Sequence, residues 1–372
     1  GLMLRSFARL GAVDAGFDAR NVLTMRVVLS GSPHAATPEK RNAFYRQVLD
    51  RVSAVPGVES ASGINHLPLA GDLWTFSFTV EGRPVPAPNE YPSAAFRAVF
   101  PGYFHTMRVP LLRGRDFTAH DDASAPLVVV INEALANRWW PRDNAVGKRI
   151  RLGSQGPWYT VAGVVKNVEQ ADWGATAGSE FYFSQMQNPE DIQRYLTLVV
   201  RTAGDPLAMA GAIQSQVWSL DRDLPIPDVL SMQQVVDRAV WQPRFSTTLL
   251  GGFAALALVL AAVGIYGVMS FDVSRRTQEI GIRMALGARP GDVLRSVLGG
   301  GARLAGIGTI IGMAGALVLT RYLKTLLYEV STTDPVALVA AAGVLGSVAM
   351  LAVWLPARRA TRVDPMVALR SE

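Results

Sequence analysis

The sequence contains no cysteine, which removes disulfides, thiolate zinc sites and cysteine nucleophiles at once. Histidine is scarce: His34, His66, His105 and His120 are scattered and show no metal-ligand spacing. Neither G-x-S-x-G nor H-E-x-x-H occurs. Gly147-Lys148 comes nearest to a phosphate loop. However, Arg142 stands where the first glycine belongs, and Arg149 where a magnesium-binding Ser or Thr belongs. Asp121-Asp122 and Asp221-Arg222-Asp223 sit in polar surroundings and read as solvated turns, and Phe100 to Phe104 reads as a buried aromatic turn. No catalytic residue, metal ligand or cofactor-binding residue is expected, so the chain does not read as an enzyme. No signal peptide is visible in the first thirty residues either. The first thirty residues carry Arg5, Arg9, Asp14, Asp18, Arg20 and Arg26, and the chain opens on Gly1, so a preceding span or export signal is expected upstream.

Charge of one sign is short in only one part. Residues 272–372 hold 12 Lys/Arg against 7 Asp/Glu, whereas residues 1–271 hold 24 against 23. A nucleic-acid binder concentrates basic charge on its soluble domain; here that part is nearly neutral, and no nucleic-acid partner is expected.

What is present is long uncharged stretches. Phe245 to Phe271 runs 27 residues without a charge, Pro335 to Ala357 runs 23, and Leu304 to Thr320 runs 17. About 20 apolar residues cross the hydrocarbon core, so spans are expected at about 245–271, 297–320 and 335–357. The middle span accommodates Arg303 near its cytoplasmic end by snorkelling. The loop after the first span carries Arg275, Arg276, Arg283, Arg289 and Arg295, and the tail carries Arg358, Arg359, Arg362 and Arg370. The other connection has only Arg321 and Lys324. Positive residues stay inside, so loop 272–295 and the tail are expected in the cytoplasm, with everything before Phe245 outside. Trp241, Tyr322, Tyr328 and Trp354 fall where interfacial aromatics belong. Small residues four apart, such as Gly308 and Gly312 or Ala342 and Gly346, suit close helix packing.

Before the spans, two strand–helix–strand patterns recur. Val22 to Leu29, a helix opened by Thr37-Pro38 and carrying Phe44, Val48, Val52 and Val55, and Val58 to Ile64 form the first. Leu196 to Arg201, Pro206 to Leu220 and Ile226 to Leu230 form the second. The expected fold class is therefore an α+β domain, a split βαβ layer with an inserted strand-rich subdomain at about 95–190, plus an all-α membrane bundle of three transmembrane helices. In the insert, strands are expected at 127–132, 148–152, 158–165 and 180–184, with a helix around 133–140. A short helix over 231–241 leads to the first span.

Loop residues Arg275 to Ala288 can form a short amphipathic helix. Glu279 and Arg283 make an i,i+4 pair in the favourable orientation, and Ile282 and Leu286 share an apolar face. Gly287 is placed to stop the helix and Pro290 to start the next. Docking into a partner's groove suits this pattern better than lying on lipid, which would call for more Lys and an aromatic residue.

At these residues the chain resembles the MacB/FtsX family of ABC transporter permeases. Arg276 to Ala288 is similar to the family's R-x-x-E-I-G-I-R-x-A-L-G-A, and Pro356 to Arg370 to its closing P-A-x-R-A-x-R-x-x-P-x-x-A-L-R. Pro101-Gly102-Tyr103-Phe104, Leu112 to Phe117, Ile131 to Leu135 and Gly147 to Ile150 resemble its periplasmic core domain, and Leu4 to Phe17 is nearest in style to the duplicated orphan permeases, as their second half. The resemblance implies a linker at 1–20, a MacB-like periplasmic core domain at 21–243 and an FtsX-like permease domain at 244–372 in the inner membrane. It further implies that Arg276, Glu279, Ile280, Gly281, Ile282, Arg283, Ala285, Leu286, Gly287 and Ala288 form a coupling helix for a cytoplasmic ABC ATPase. ATP is expected on that partner and no cofactor on this chain; a second permease half or homodimer and membrane lipid are further implied partners. The function implied is mechanical coupling of ATP hydrolysis to periplasmic change and export of peptide-like or amphiphilic substrates. The alternatives are a non-transporting regulator of an envelope enzyme and a permease that extracts lipid or lipoprotein.

Overall fold

The computed structural model describes residues 15–71, 74–84, 87, 90–168, 178–187, 195–276, 279, 282–283, 286, 290–323 and 335–360. Two compact units separate between Gln242 and Pro243.

The first unit is built on strands β1 (Val22–Val28), β2 (Val58–Ile64), β3 (Thr75–Val80), β4 (Ser93–Val99), β5 (Leu111–Gly114), β6 (Val128–Asn132), β7 (Arg149–Leu152), β8 (Trp158–Val165), β9 (Glu180–Ser184), β10 (Tyr195–Thr202) and β11 (Val229–Ser231). Its helices are α1 (Pro38–Ser53), α2 (Tyr103–Met107), α3 (Glu133–Trp139) and α4 (Ala210–Trp218). All 11 strands belong to one sheet.

Four strands run in the order β11-β1-β10-β2, every neighbour antiparallel. Helix α1 links β1 to β2 and α4 links β10 to β11, so two interlocked βαβ units make the split layer that the sequence pattern implies. Helix α1 starts at Thr37, whose hydroxyl accepts the Lys40 N–H at 3.3 Å, with Pro38 at the first helical position; such a cap contributes about 1 kcal/mol. Alternation along the strands decides the faces. Leu23, Met25 and Val27 of β1 and Leu196, Leu198 and Val200 of β10 pack against Phe44, Val48, Val52, Ile213 and Val217 of the two helices. Gly63 in β2 is required by this packing, because a Cβ there would lie 2.5 Å from Leu196 Cδ2. On the other face, Val22, Ile64 and Val199 meet Phe17, Tyr103, Phe104, Met107, Met232, Val235 and Val236.

The remaining strands close on themselves. Beyond the path β4-β3-β7-β8-β6-β9, β9 also pairs with β4, in parallel, over Ala95 to Val99 against Glu180 to Ser184. The result is a six-stranded ring, with β5 added on β8. Alternate residues point inward from all six strands: Phe78 and Val80, Phe96 and Ala98, Val129 and Ile131, Ile150 and Leu152, Tyr159 and Val161, Phe181 and Phe183. So narrow a ring is filled by side chains rather than hollow. Phe96 stacks on Phe183 at 5.2 Å, and Phe181 meets Phe183 edge-on at 5.1 Å. Ring strands β3 and β4 lie wholly or partly before residue 95, so the inserted part draws on more of the chain than 95–190. Strands β3, β4 and β5 were not among the expected ones, although T-F-S-F-T-V at 75–80 alternates as a half-buried strand should.

The second unit is helical. Helix α5 (Met232–Arg275), whose residues up to Gln242 belong to the first unit where a short helix over 231–241 was expected, is followed by α6 (Pro290–Leu323) and α7 (Pro335–Ala360). Two stretches, Gly251–Arg275 and Leu294–Gly315, are long and apolar enough to cross a membrane. In α7 the apolar stretch among the described residues, Ala342–Pro356, is shorter than a span, so two of the three expected spans are found there. Phe253, Leu260, Ile310 and Leu351 are exposed, the reverse of a soluble core helix. Gly301 lets α6 and α7 approach closely, since a Cβ would lie 2.6 Å from Val353 Cγ1. An apolar cleft of about 330 Å³ lies among α5, α6 and α7, lined by Ala261, Ile265, Gly308, Thr309, Leu345 and Ala349.

Phe96→Ala opens a void in the ring core and is expected to destabilise it by about 3–5 kcal/mol. Leu112→Ala on exposed β5 shifts it by less than about 0.5 kcal/mol. Amide hydrogen exchange at Val129 and Ile131 in the full chain measures both.

Candidate functional site

The loop after α5 is held by local interactions. The Arg276 N–H donates to the Asp272 carbonyl at 3.1 Å, and its guanidinium pairs with the Asp272 carboxylate at 3.2 Å. Glu279, Ile282 and Arg283 are helical, and Arg283 Nη2 donates to Glu279 Oε1 at 2.5 Å, the i,i+4 pair that the spacing predicts. The Leu286 N–H donates to the Ile282 carbonyl at 3.0 Å, a helical i to i−4 bond. Ile282 is 45% and Leu286 84% exposed. An ion pair thus lies beside two adjacent apolar side chains left open to solvent. Ile280, Gly281, Ala285, Gly287 and Ala288 lie outside the described residues, as do residues 1–14, the connection 324–334 and the tail 361–372.

No group of three or more His, Asp or Glu fit to hold a metal is found among the described residues. His34 stacks on Phe44 at 4.5 Å, and His66 bonds the Tyr195 hydroxyl at 3.0 Å. The polar-turn reading of Asp121 needs correction. Asp121 is buried and accepts Arg115 Nη1 and Nη2 at 2.7 and 2.8 Å, and the Thr118 N–H at 2.8 Å. The Arg115 guanidinium, followed by the Thr118 N–H, holds its carboxyl below the ordinary 3.8 against an opposing effect of burial. Asp122 is half-buried and accepts the Ser124 N–H and hydroxyl at 2.9 and 2.7 Å. The Phe100–Phe104 turn is buried as expected, with Gly102 at φ 83°.

Arg41, Arg97 and Arg201 are buried and escaped the sequence reading; the last two hold the fold together. Arg97 of β4 and Glu180 of β9 are 2% and 1% exposed and pair at 2.9 Å across the parallel β4–β9 contact. Arg97 Nη1 donates to the His66 carbonyl at 2.9 Å, and the Tyr182 hydroxyl donates to Glu180 Oε2 at 2.6 Å. Burial, then the Glu180 charge, pushes the Tyr182 hydroxyl pKa well up, so it stays a donor. Arg201 at the end of β10 donates to the carbonyls of Thr106, Arg20 and Asp18 at 2.7, 2.7 and 2.8 Å. It fastens the segment before β1 onto the layer. The only trace of either in the sequence is a single charge inside an apolar run, A-A-F-R-A-V or L-T-L-V-V-R.

A MacB-like periplasmic core domain model matches residues 10–216, more than half of the chain, and an FtsX-like permease C-terminal model matches residues 251–365. The chain belongs to the MacB/FtsX family of ABC transporter permeases. Its relatives include the macrolide export ATP-binding/permease protein MacB of Marinobacter nauticus, 29% identical over 71% of this chain and 41% of that protein. The pyoverdine export ATP-binding/permease protein PvdT of Pseudomonas putida is 28% identical over 92% of this chain and 51% of its own length. The chain thus spans about half the length of the curated relatives it matches. Among solved structures, the periplasmic region of MacB from Actinobacillus actinomycetemcomitans is similar at a TM-score of 0.40 and 15% identity, over 59% of this chain and 92% of that one. The family's core-domain match takes in Arg97, Glu180 and Arg201, and its permease match takes in the exposed loop residues.

Replacing Asp121 by Asn removes a charged acceptor and is expected to cost about 1.5–3 kcal/mol at neutral pH. The folded-state pKa of Asp121 is lowered, so its contribution is present above 3.8 and fades as pH falls through the folded value. Urea midpoints of wild type and variant should differ at pH 7 and converge in acid.

Proposed function

We propose that this chain is the permease part of an export machine in which a separate ABC ATPase hydrolyses ATP. In this reading the segment Arg276 to Ala288 is the coupling helix that seats in a groove of that ATPase. One observation carries it: Ile282 and Leu286 stand exposed beside the Glu279–Arg283 pair. Exposed apolar residues at i and i+4 with a fixed charge pair alongside are what a helix-in-groove contact uses. The names of the relatives MacB and PvdT, which join an ATP-binding part to a permease part, support the same division of labour.

The membrane topology follows the charges. The chain crosses the inner membrane three times, with α7 as the third span, and places residues before Phe245 outside. Loop 272–295 and the tail are cytoplasmic, since nine arginines cluster in those two segments. The core domain then works outside the membrane on peptide-like or amphiphilic cargo, alongside a second permease half or a second copy, while ATP stays on the partner.

Leu286→Asp and the pair Glu279→Ala with Arg283→Ala are expected to abolish co-purification of a co-expressed ABC ATPase that wild type retains. Leu112→Ala leaves it unchanged. Full ATPase recovery with Leu286→Asp would overturn the coupling role. Cysteine labelling at position 283 from the periplasmic side would overturn the topology.

A further inference from the structure

A cavity of about 350 Å³ opens beside β2, α2 and β10 in the core domain, with Arg108, Arg201, His105, Glu59, Phe104 and Val109 among its walls. Its charges are unevenly matched. Asp18 accepts Arg20 Nε at 2.9 Å and Arg108 Nη1 at 3.0 Å, and is fully engaged. Arg201 is 4% exposed, and its guanidinium donates, among the described residues, to backbone carbonyls only. Three of its five N–H groups are used, and two remain. Burial, then the charge of Arg108, depresses its pKa below the ordinary arginine value. Counting Arg20, Arg108 and Arg201 against Asp18 and Glu59 leaves one positive charge over.

Arg108 sits at the mouth under two constraints. It ends α2 with φ 54°, a left-handed conformation that a non-glycine residue holds at a cost of order 1–3 kcal/mol. Its Nη2 approaches Glu59 Oε2 only to 3.9 Å, at the outer limit of an ion pair, and both side chains are about half exposed. Glu59 is therefore a loose carboxylate at the rim, standing where a tighter oxyanion fits. Phe104 and Val109 make the rest of the wall apolar.

We propose that this cavity binds a carboxylate carried on a short apolar group, one end of an amphiphilic molecule. Arg201 is the fixed cation, Arg108 the movable clamp that closes on the oxyanion in the paired fashion guanidinium groups favour, and Phe104 and Val109 hold the apolar part. Glu59 is the internal competitor that the ligand displaces. The site is independent of ATPase docking and is measured without the partner.

The test uses the full chain in neutral maltoside micelles, titrated with sodium hexanoate and followed by calorimetry against empty micelles. Saturable binding in the millimolar range is expected. Arg108→Met should weaken it at least about tenfold, and Glu59→Gln should strengthen it severalfold because a competing charge is gone. The neutral ester methyl hexanoate should not bind. Both side chains are half exposed, so both variants should fold, which amide exchange in β2 and β10 checks. No saturable binding, equal binding by both variants, or equally tight binding of inorganic phosphate would each overturn the proposal.

Discussion

The Arg97–Glu180 pair is the constraint on which the core domain rests. Strand β4 touches the split layer at one register point, Val99 against Ile64, and otherwise belongs to the ring. The ion pair lies on that strand, buried on both sides, and its second nitrogen holds the His66 carbonyl just after β2 ends. Nearby, the Asn65 carbonyl oxygen of the side chain accepts the Ala98 N–H at 2.9 Å, and the Asn132 side chain accepts the Glu180 N–H at 3.0 Å. These bonds join the layer, β4, β9 and the start of α3 in one network. Such a pair adds little against a well-packed apolar substitute, but breaking one partner costs about 3–5 kcal/mol. Its role is accordingly one of register. A parallel contact has no hairpin to align it, and two buried charges that must meet fix β4 against β9.

Much of this fold can be read from the chain, and what cannot has a physical reason. The split layer was legible because its signals are local: the apolar run Val22 to Leu29, the Thr37-Pro38 start of α1 and the helical spacing of Phe44, Val48, Val52 and Val55. Strands β6 to β9 were legible on the same ground. The closure of the ring was not. It depends on β4 meeting β9 and β6 meeting β8 in parallel, pairings between segments far apart that no turn residue announces. The buried arginines were equally silent, because a charge in an apolar run reads alike whether it faces solvent or a hidden carboxylate. Asp121 shows the same ambiguity in reverse: a polar turn by composition, it is a buried acceptor because Arg115 folds back onto it.

The loop between α5 and α6 stands at the other extreme. Nothing in its described part is buried, and its spacing alone gave the ion pair and the apolar pair that the coordinates display. Residues that serve a contact within the chain leave a trace in burial; these leave theirs in exposure. On the proposed reading, these apolar residues, exposed among the described residues, are the ones a partner's groove would cover.

That difference bears on how the loop can work. A helix of about two turns is marginal by itself, because nucleation fixes several residues for one hydrogen bond. The Glu279–Arg283 pair offsets only about 0.2–0.5 kcal/mol of that cost. Burying Ile282 and Leu286 in a groove supplies about 1.5–3 kcal/mol for each side chain fully covered, which outweighs the pair several times over. On the proposed reading, then, the partner's groove stabilises the coupling helix more than the helix stabilises itself, and ordering and docking are a single step. The core domain is the contrasting case, with its aromatic ring interior and buried ion pair close-packed before any partner arrives. Close-packed interiors transmit displacement instead of absorbing it; on the proposed reading, a loop ordered by docking and a core that is already rigid would divide the work of coupling between them.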